Sequence, residues 1–320
     1  MVRLTVVSPM YNEEAVIEKS VRGLLEALEE FDFSWELILV NDGSTDGTEA
    51  IIKRLAEVDE RVKVVSYARN RGRGYALRKG FEAAAGEYVI TTESDLTWGK
   101  DILRRLYDAL VETHADIVIA SPYAKGGKLE NVPARRAMLS HLGNVILRRT
   151  VPVKITMLSG MTRGYRGDVI RNLPLEEDRK EIHLEIVSKC VMLGCDFAEV
   201  PAVLKWEKPE EGKTKRKSKF KAGKLIKTHL LFSVFEAPIM LFGSLGALLL
   251  AAGTVCGLEL AVEYFILNRV IGDRTAFILT TIFMLGSGFG MFLFCFFAYQ
   301  IKALRREMFR LQFEMRQRGK

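Results

Sequence analysis

The chain has 320 residues, enough for one large domain or two smaller ones, and 48% of them are hydrophobic. Its mean hydropathy of +0.08 is high for a wholly soluble protein. The four cysteines have no CxxC spacing, which argues against a disulfide framework and a zinc site and fits a reducing compartment. No signal peptide is predicted, because the apolar run after Arg3 is too short and is typical of a strand.

Predicted strands and helices alternate from residue 1 to about residue 120. The predicted strands are residues 4–8, 37–40, 62–66, 88–92 and 117–120. The predicted helices are residues 15–28, 48–58, 75–85 and 102–112. This alternation is typical of a doubly wound α/β sheet, in which ligands bind beyond the carboxyl ends of the strands.

A mixed, substrate-facing half follows, and we expect it to complete a domain that covers residues 1–204. Residues 125–128 predict a turn, and residues 135–149 predict a basic amphipathic helix. Ser159 and Gly160 open a predicted strand, and residues 182–193 predict a further helix.

Two uncharged apolar stretches, residues 239–258 and 276–299, lie near the C-terminus. Each is long enough to cross ~30 Å of hydrocarbon, which takes about 20 helical residues. Two buried core helices are the alternative, but uninterrupted runs of this length are rare in soluble cores. We therefore predict a hairpin of two transmembrane helices within residues 230–299.

Two basic segments flank this hairpin. Residues 205–227 carry ten Lys or Arg against three Glu, and residues 300–320 carry seven against two acidic residues. The positive-inside rule then predicts a multi-pass protein of the cell membrane with its N-terminal domain and both termini in the cytoplasm. Contact of the polybasic segment, residues 205–229, with anionic lipid is favoured over nucleic-acid binding.

The tail, residues 300–320, carries apolar residues at three- and four-residue spacing. They are Ile301, Leu304, Met308, Leu311 and Met315. Such a stripe on a basic helix predicts a helix lying flat on the inner leaflet. A short coiled coil is the second interpretation, since two heptads alone are marginal.

An apolar run ends abruptly in Glu93-Ser94-Asp95. Because side chains alternate along a strand, Glu93 and Asp95 would project together, with Thr97 next on that side. Two carboxylates so placed repel each other unless a cation lies between them, and hard oxygen ligands favour Mg²⁺ or Mn²⁺. The alternative is that both are solvated residues that open a turn and cap the next helix.

Polar residues also follow the first strand. Pro9, Tyr11, Asn12 and Glu13 could hold a flat base, with the aromatic ring and the carboxylate as its contacts. The alternative is a capped helix start with Asn12 as the N-cap.

Further polar residues follow the second and third strands. Asp42 could accept a hydrogen bond from a base edge, whereas Asp46 is predicted to be the N-cap of the next helix. Gly72 and Gly74 would let the backbone approach a ligand, and the neighbouring arginines suit phosphate. Such a lone GxG is most often a turn.

Together these segments resemble glycosyltransferase family 2 in order and spacing. The chain is most similar to the branch that transfers a sugar to a polyprenyl phosphate, which includes dolichol-phosphate mannose synthases and bacterial undecaprenyl-phosphate glucosyltransferases. The resemblance covers roughly residues 3–220, and the predicted hairpin is similar to that of the bacterial members. It implies a GT-A-type, Rossmann-like sheet, followed by the transmembrane hairpin and the amphipathic tail helix.

The resemblance also implies roles for particular residues. Those that bind the nucleotide would be Pro9, Tyr11, Asn12, Glu13, Asp42 and Gly72. Those that hold Mg²⁺ or Mn²⁺ would be Glu93, Asp95 and Thr97, and those at the sugar and diphosphate would be Ser94, Gly160 and Lys219. The residues that carry catalysis would be Asp95, Arg136 and Ser140, of which Arg136 and Ser140 hold the acceptor phosphate.

The chain departs from the family pattern at four positions. Glu93 stands where the family usually has Asp, and Thr97 stands where mannose synthases often have Gln. Pro122 replaces an Arg that binds phosphate, unless Arg135 or Lys125 substitutes for it. Thr156 stands where many members have Asp. These departures affect the sugar and the nucleotide more than the reaction class.

The function that the resemblance implies is inverting transfer of a hexose, with mannose favoured, from a nucleotide-diphosphate sugar such as GDP-mannose to a polyprenyl phosphate of the dolichyl type. The alternatives are a glucosyltransferase that uses UDP-glucose and a non-catalytic membrane-anchored binder of nucleotide sugars. A processive polysaccharide synthase is disfavoured, because the Gln-x-x-Arg-Trp motif is absent. The chain could also form a homo-oligomer, an alternative that the sequence leaves open.

Overall fold

A computed structural model describes residues 2–94, 97–99, 101–133, 137, 138, 140, 144, 153–205, 242–268 and 272–318. Three predicted site residues, Asp95, Arg136 and Lys219, lie outside the described residues, as does most of the predicted helix 135–149. The described part forms two compact units. The first contains residues 2–205 and is grouped with the chain from Arg310, and the second contains residues 242–309.

The first unit alternates strands and helices in its N-terminal half, as predicted. The strands are β1 Leu4–Met10, β2 Trp35–Asn41, β3 Val62–Ser66, β4 Tyr88–Thr91, β5 Ile117–Ser121, β6 Lys128–Glu130, β7 Arg163–Arg166, β8 Phe197–Pro201 and β9 Val203–Lys205. The helices are α1 Ile17–Leu28, α2 Thr48–Val58, α3 Arg73–Ala83, α4 Ile102–Thr113, α5 Gly167–Asn172 and α6 Ile182–Leu193.

Seven of the described strands form one sheet in the order β3-β2-β1-β4-β7-β5-β8. Its pairs are parallel except those of β7, which runs antiparallel to β4 and β5. The chain winds outward from β1 to β3 and returns to the other side of β1 with β4, so the switch point of a doubly wound sheet lies between β1 and β4. Strands β6 and β9 form a separate pair.

The core lies on both faces of the sheet. All seven residues of β2 are buried, as expected for a strand covered by helices on both sides. Its one acidic residue, Glu36, is compensated by Lys63 at 2.6 Å and by the Thr5 hydroxyl at 2.6 Å. Burial opposes ionisation of Glu36, but these partners hold its pKa below the usual value.

Several predicted boundaries were wrong, and three of them lie beside predicted site residues. Helix α1 begins at Ile17 rather than residue 15, because Asn12 adopts a left-handed conformation with φ of 52° and binds another loop. Helix α3 begins earlier than predicted, directly after Gly72. The strand expected to open at Ser159 begins only at Arg163, so Ser159 and Gly160 lie in the loop before it.

The second unit is helical. Helix α7 spans Ser244–Phe265, a short 3-10 turn spans Gly272–Arg274, and α8 spans Thr275–Arg318. Both α7 and α8 are long and apolar enough to cross a membrane. The tail continues α8 without interruption, whereas a spanning helix whose tail lay flat on the leaflet would need a turn between the two parts.

Candidate active site

The loop after β1 is joined to the loop after β2. Asn12 accepts a hydrogen bond from the Thr45 backbone at 2.8 Å, and its own N–H donates to Ser44 at 3.0 Å. The Glu13 N–H donates to the Thr48 hydroxyl at 2.8 Å. Asn12 is therefore not the N-cap of α1; its side chain organises the edge at which two parallel strands end. Tyr11 stays exposed beside this junction.

The N-cap of helix α2 is Gly47 rather than Asp46, so the predicted cap was wrong by one residue, although the Asp46 side chain still binds the first helical residue. Its carboxylate accepts the backbone N–H and the hydroxyl of Thr48 at 3.0 and 2.5 Å. It also accepts the N–H of Glu14 at 3.2 Å, which adds a second link between the two loops. Burial opposes ionisation of Asp46, but the bonds from Thr48 and Glu14 outweigh it and lower its pKa.

Asp42 lies at the end of β2 and is 5% exposed. Its carboxylate accepts hydrogen bonds from the Tyr67 hydroxyl at 2.9 Å, the Asn70 amide at 2.9 Å, and the backbone N–H groups of Arg71 and Gly72 at 2.8 and 3.0 Å. Burial and the bond to Asp42 raise the pKa of Tyr67. Asp42 thus fixes the loop before α3 besides bordering the predicted base site.

The glycines before and within the first turn of α3 admit part of the chain itself. Gly72 has φ of 104°, and a Cβ atom on it would lie 2.6 Å from the carbonyl oxygen of Asp178. A Cβ atom on Gly74 would lie 2.3 Å from the carbonyl oxygen of Glu177. The Tyr75 N–H donates to the Asp178 carbonyl at 3.1 Å. The close backbone approach that the GxG pattern predicted is therefore one between this helix and residues 177–179.

The carboxylate of Asp178 also attracts neighbouring arginines. Arg71 lies 3.3 Å from it, and Arg78 contacts it more closely. The Arg71 guanidinium also stacks on the Tyr75 ring, 3.9 Å from its centroid. Arg71, one of the arginines expected to suit phosphate, therefore has an acidic partner within the protein.

Glu93 follows β4, beside the end of β1. The indole Nε1 of Trp98 donates to Glu93 Oε2 at 3.2 Å, and Arg73 Nη1 lies 3.8 Å from Oε1. The Ser94 hydroxyl donates to the carboxylate of Glu13. The switch point between β1 and β4 thus brings the predicted metal motif and the predicted base loop together.

Glu93 is the acidic residue of the predicted metal motif that the structure describes, so whether a divalent ion fits is judged from its side chain. Its half-buried carboxylate supplies the hard oxygen that Mg²⁺ and Mn²⁺ prefer. The carbonyl of Thr97 accepts the N–H of Lys205 at 2.9 Å. No group of three acidic, His or Cys ligands occurs among the described residues, and Asp95 lies outside them. The described oxygens are compatible with a metal but supply only part of its ligands.

A buried arginine organises the segment that contains Ser159 and Gly160. Arg163 is fully buried and donates to three backbone carbonyls, those of Leu158 at 2.6 Å, Gly160 at 2.7 Å and His183 at 3.1 Å. These bonds compensate for the burial that lowers its pKa. Sequence reasoning missed this role, although an arginine at the start of a strand just behind Ser-Gly is a signal that could have indicated it.

The same segment is tied to Ser140. The buried Asn144 donates to the carbonyl of Ser140 at 3.0 Å, and its side-chain oxygen accepts the N–H of Leu158 at 2.9 Å. Ser140, predicted at the acceptor phosphate, is thereby linked through the Asn144 side chain to Leu158, two residues before Gly160, which is predicted at the sugar. Residues 137, 138, 140 and 144 are helical, in agreement with the predicted helix.

Thr156 has a carboxylate partner from a distant strand. Glu199 on β8 accepts the N–H of Thr156 at 2.6 Å and its hydroxyl at 2.9 Å, and Thr156 also contacts the Ser121 hydroxyl at 2.6 Å. Many family members have an acid at position 156 itself. Glu199 supplies an acid next to this position, a contact that a strand far along the chain makes and that sequence reasoning missed.

The fold and the loops at its switch point define a doubly wound α/β protein of the nucleotide-binding class. The model of the family described as "Glycosyl transferase family 2" matches residues 5–173, slightly more than half of the chain. The chain therefore belongs to glycosyl transferase family 2, and its sheet is of the GT-A type.

Relatives refine this membership. The chain is 30% identical over 206 residues to the polyprenol monophosphomannose synthase of Mycolicibacterium smegmatis, which covers 62% of this chain and 76% of that protein. It is 28% identical to the dolichol-phosphate mannosyltransferase of Pyrococcus furiosus over 58% of this chain, but only 53% of that protein. The undecaprenyl-phosphate 4-deoxy-4-formamido-L-arabinose transferase of Shewanella sediminis is 26% identical over 84% of this chain and 76% of its own length.

A solved structure confirms the fold. The UDP complex of glucosyl-3-phosphoglycerate synthase from Mycobacterium tuberculosis superimposes with a TM-score of 0.54 over 74% of this chain and 80% of its own. At 18% identity, this likeness establishes the fold alone.

Proposed function

We propose that the chain transfers a hexose, with mannose favoured, from a nucleotide-diphosphate sugar to a polyprenyl phosphate. The observation that carries the proposal is the hydrogen bond from Ser94 to Glu13. It joins the loop assigned to the base with the motif assigned to the diphosphate, as binding of one nucleotide-diphosphate donor requires. Relatives that act on dolichol phosphate and polyprenol support the acceptor.

Glu93, Asp95 and Thr97 would hold Mg²⁺ or Mn²⁺, which when bound neutralises charge on the leaving diphosphate. Structures of the Mycobacterium tuberculosis synthase with Mn²⁺ and UDP-glucose support a divalent metal in this fold. Tyr11, with Pro9, Asn12 and Glu13, would line the base, with Asp42 and Gly72 behind them. The carboxylate oxygens of Glu93 are the kind of ligand that a hard cation prefers.

The nucleophile would be an oxygen of the lipid phosphate. A phosphate monoester is ionised at neutral pH, so the reaction requires no general base. Arg136 and Ser140 would orient this phosphate, and Lys219 would contact the diphosphate of the donor. The link from Ser140 through Asn144 to the Gly160 segment would hold acceptor and sugar in register. In-line attack at the anomeric carbon then inverts its configuration.

A membrane setting for the reaction is supported by α7 and α8 and by the basic segments beside them. We propose the domain organisation expected from the sequence. The catalytic domain covers residues 1–204, the interfacial segment 205–229, the hairpin 230–299 and the tail 300–320, with both termini in the cytoplasm.

A transfer assay tests this proposal. Membranes that contain the full chain are given a polyprenyl phosphate and labelled GDP-mannose or UDP-glucose, with Mg²⁺ or Mn²⁺, and the lipid is extracted. Labelled lipid from GDP-mannose supports the favoured donor, and labelled lipid from UDP-glucose supports the alternative. Water-soluble polymer, or no turnover with either donor, would overturn the proposal.

Two variants assign the roles. Asp95→Ala should abolish metal-dependent transfer while the thermal unfolding midpoint stays unchanged. Arg136→Ala should mainly raise the KM for the lipid phosphate. Full transfer by Asp95→Ala would refute the metal assignment, and unchanged acceptor kinetics would refute that of Arg136.

One observation favours a second candidate, a non-catalytic binder of nucleotide sugars. Arg73 lies 3.8 Å from Glu93, so a cation of the protein already stands beside the first metal acid. Binding of labelled GDP-mannose that is independent of Mg²⁺ and Mn²⁺, without turnover, would identify such a binder.

A further inference from the structure

Glu199 on β8 belongs to no predicted motif, yet it holds a segment that lies between Ser140 and Gly160 in the chain. The Oε1 atom of its half-buried carboxylate accepts the backbone N–H groups of Thr156 at 2.6 Å and Met157 at 3.1 Å. The Thr156 hydroxyl donates to the same atom at 2.9 Å. Two consecutive N–H groups of residues 156–158, the 156 segment, therefore share one carboxylate oxygen.

The third N–H group of the 156 segment binds the side chain that holds Ser140. The Leu158 N–H donates to the side-chain oxygen of Asn144 at 2.9 Å, and the Asn144 amide donates to the Ser140 carbonyl at 3.0 Å. Asn144 is buried, so neither bond is readily replaced by water. Displacement of the 156 segment would therefore release Ser140, the residue predicted at the acceptor phosphate.

The 156 segment is also tied to the loop that follows β5. The Thr156 hydroxyl, which donates to Glu199, lies 2.6 Å from the hydroxyl of the buried Ser121 at the end of that strand. The Ser121 hydroxyl accepts the N–H of Tyr123 at 3.2 Å. The start of this loop and Ser140 thus depend on the same carboxylate.

This loop is where the chain departs from the family pattern on the acceptor side. Pro122 stands at the position where the resemblance places a phosphate-binding Arg, and Lys125 is a candidate to substitute for it. With one cation absent from its usual position, binding of the acceptor phosphate depends more strongly on how well the remaining groups are held in place.

The predicted sugar residue has a separate anchor. The buried Arg163 donates to the carbonyls of Gly160 at 2.7 Å and Leu158 at 2.6 Å. Loss of the Glu199 carboxylate would leave these two bonds intact, whereas the N–H groups of residues 156 and 157 would lose their acceptor. The effect should therefore fall on the acceptor more than on the sugar donor.

We propose that Glu199 is a positioning residue for the lipid-phosphate acceptor, an inference that rests on the proposed function. Its carboxylate fixes the 156 segment, and this segment in turn holds Ser140 and the start of the loop at Tyr123. The Oε1 atom already accepts three hydrogen bonds from the protein, so Glu199 acts through these groups and not by contact with the acceptor.

Acceptor kinetics in membranes that contain the full chain test this role. Glu199→Ala should raise the KM for polyprenyl phosphate by about 3- to 30-fold, since only the share of the lost hydrogen-bond energy that holds Ser140 in place affects acceptor binding. The KM for the labelled donor should change by less than about 2-fold. Glu112→Ala, which removes an exposed carboxylate from α4, is the matched control. Equal changes of both constants, or no change in either, would overturn the proposal.

A double-mutant cycle with Asn144 tests whether the two side chains act along one path. Asn144→Ala should raise the same acceptor KM, and the double variant should resemble the more affected single variant, because both changes release the same segment. Effects that multiply would contradict the path. Glu199→Gln retains an oxygen that can accept both N–H groups, so it is the variant to use if Glu199→Ala does not fold, with a smaller rise of the same constant expected.

Hydrogen exchange of the purified full chain in detergent gives a readout that does not depend on transfer. In Glu199→Ala, exchange should become faster at the 156 segment and in the peptide that contains Ser140, whereas the peptide that contains β1 should match the unmodified chain. Unchanged exchange at Ser140 would refute the link. A chain that transfers no sugar but shows this coupled exchange would refute the proposed function and support the link.

Discussion

The Ser94 hydroxyl donates a hydrogen bond to the Glu13 carboxylate, although 81 residues separate them. Ser94 is buried and Glu13 is half-buried, so the bond that joins the two loops is partly shielded from solvent. The two strands that carry these residues are neighbours only because the chain returns to β1 after forming β3. One side chain therefore couples the loop proposed for the base to the motif proposed for the diphosphate.

Replacement of Ser94 by Ala should weaken donor binding. A lost hydrogen bond to a charged group costs about 1.5–3 kcal/mol of stability, and the share of it that holds the two loops in the binding arrangement lowers affinity, by at most roughly 10- to 150-fold. Binding of GDP-mannose or UDP-glucose measured by calorimetry tests this expectation, with Thr113→Ala at the far end of α4 as the control. Unchanged affinity in Ser94→Ala would show that this contact does not couple the two loops.

Replacement of Arg163 by Lys should destabilise the first unit. An ammonium group cannot reach three carbonyls in the planar arrangement of a guanidinium, so buried acceptors lose their donors. The expected loss exceeds about 2 kcal/mol, or about 4 °C in the thermal unfolding midpoint.

Arg166 is the matched control, since it lies on the same strand but pairs with Asp168 and Asp116 near the surface. Arg166→Lys should cost less than about 1 kcal/mol. Equal midpoints for the two variants would contradict the role assigned to Arg163.

Replacement of Asp42 by Asn should lower both stability and donor binding. The amide of Asn has one oxygen and one NH₂ group, so its N–H groups would face the N–H donors of Asn70, Arg71 and Gly72. Each buried donor that loses its acceptor in this way lowers the free energy of unfolding by about 1–3 kcal/mol. The exposed Asp168→Asn is the control for loss of a charge. Weaker donor binding with an unchanged midpoint would instead assign Asp42 to the base alone.

The burial of His183 predicts that the free energy of unfolding depends on pH. It is 2% exposed, neither ring nitrogen has a hydrogen-bond partner among the described residues, and the charges of Arg163 and Arg73 lie nearby. Burial, followed by these charges, lowers its pKa well below 6.5. The folded chain therefore keeps the ring neutral where the unfolded chain protonates it.

The sign follows from proton binding. Below about pH 6.5 the unfolded state binds one proton more than the folded state. This residue therefore lowers the free energy of unfolding by up to about 1.4 kcal/mol for each unit by which the pH is lowered. Above that pH it has no effect. Unfolding midpoints between pH 7 and pH 5 should therefore fall less steeply for His183→Leu than for the unmodified chain. Parallel profiles would contradict the neutral state of His183.

The sequence by itself determined the doubly wound sheet, the family and the existence of two apolar helices. These properties depend on local periodicity and on the order of strand-end motifs, which neighbouring residues specify. The bounds of α2, Thr48–Val58, belong to the same group, because the turn residues and the apolar periodicity that specify a helix lie next to each other in the chain.

Only the tertiary structure decided which strand-end residues touch. The antiparallel insertion of β7 between β4 and β5 brought Arg163 beneath the Gly160 segment, and β8 brought Glu199 to Thr156. The long-range bonds of Asn12 displaced the start of α1, and residues 177–179 filled the space beside Gly74. Such contacts arise from the packing of segments distant in the chain, where local propensity carries no information, so periodicity and motifs could not predict them.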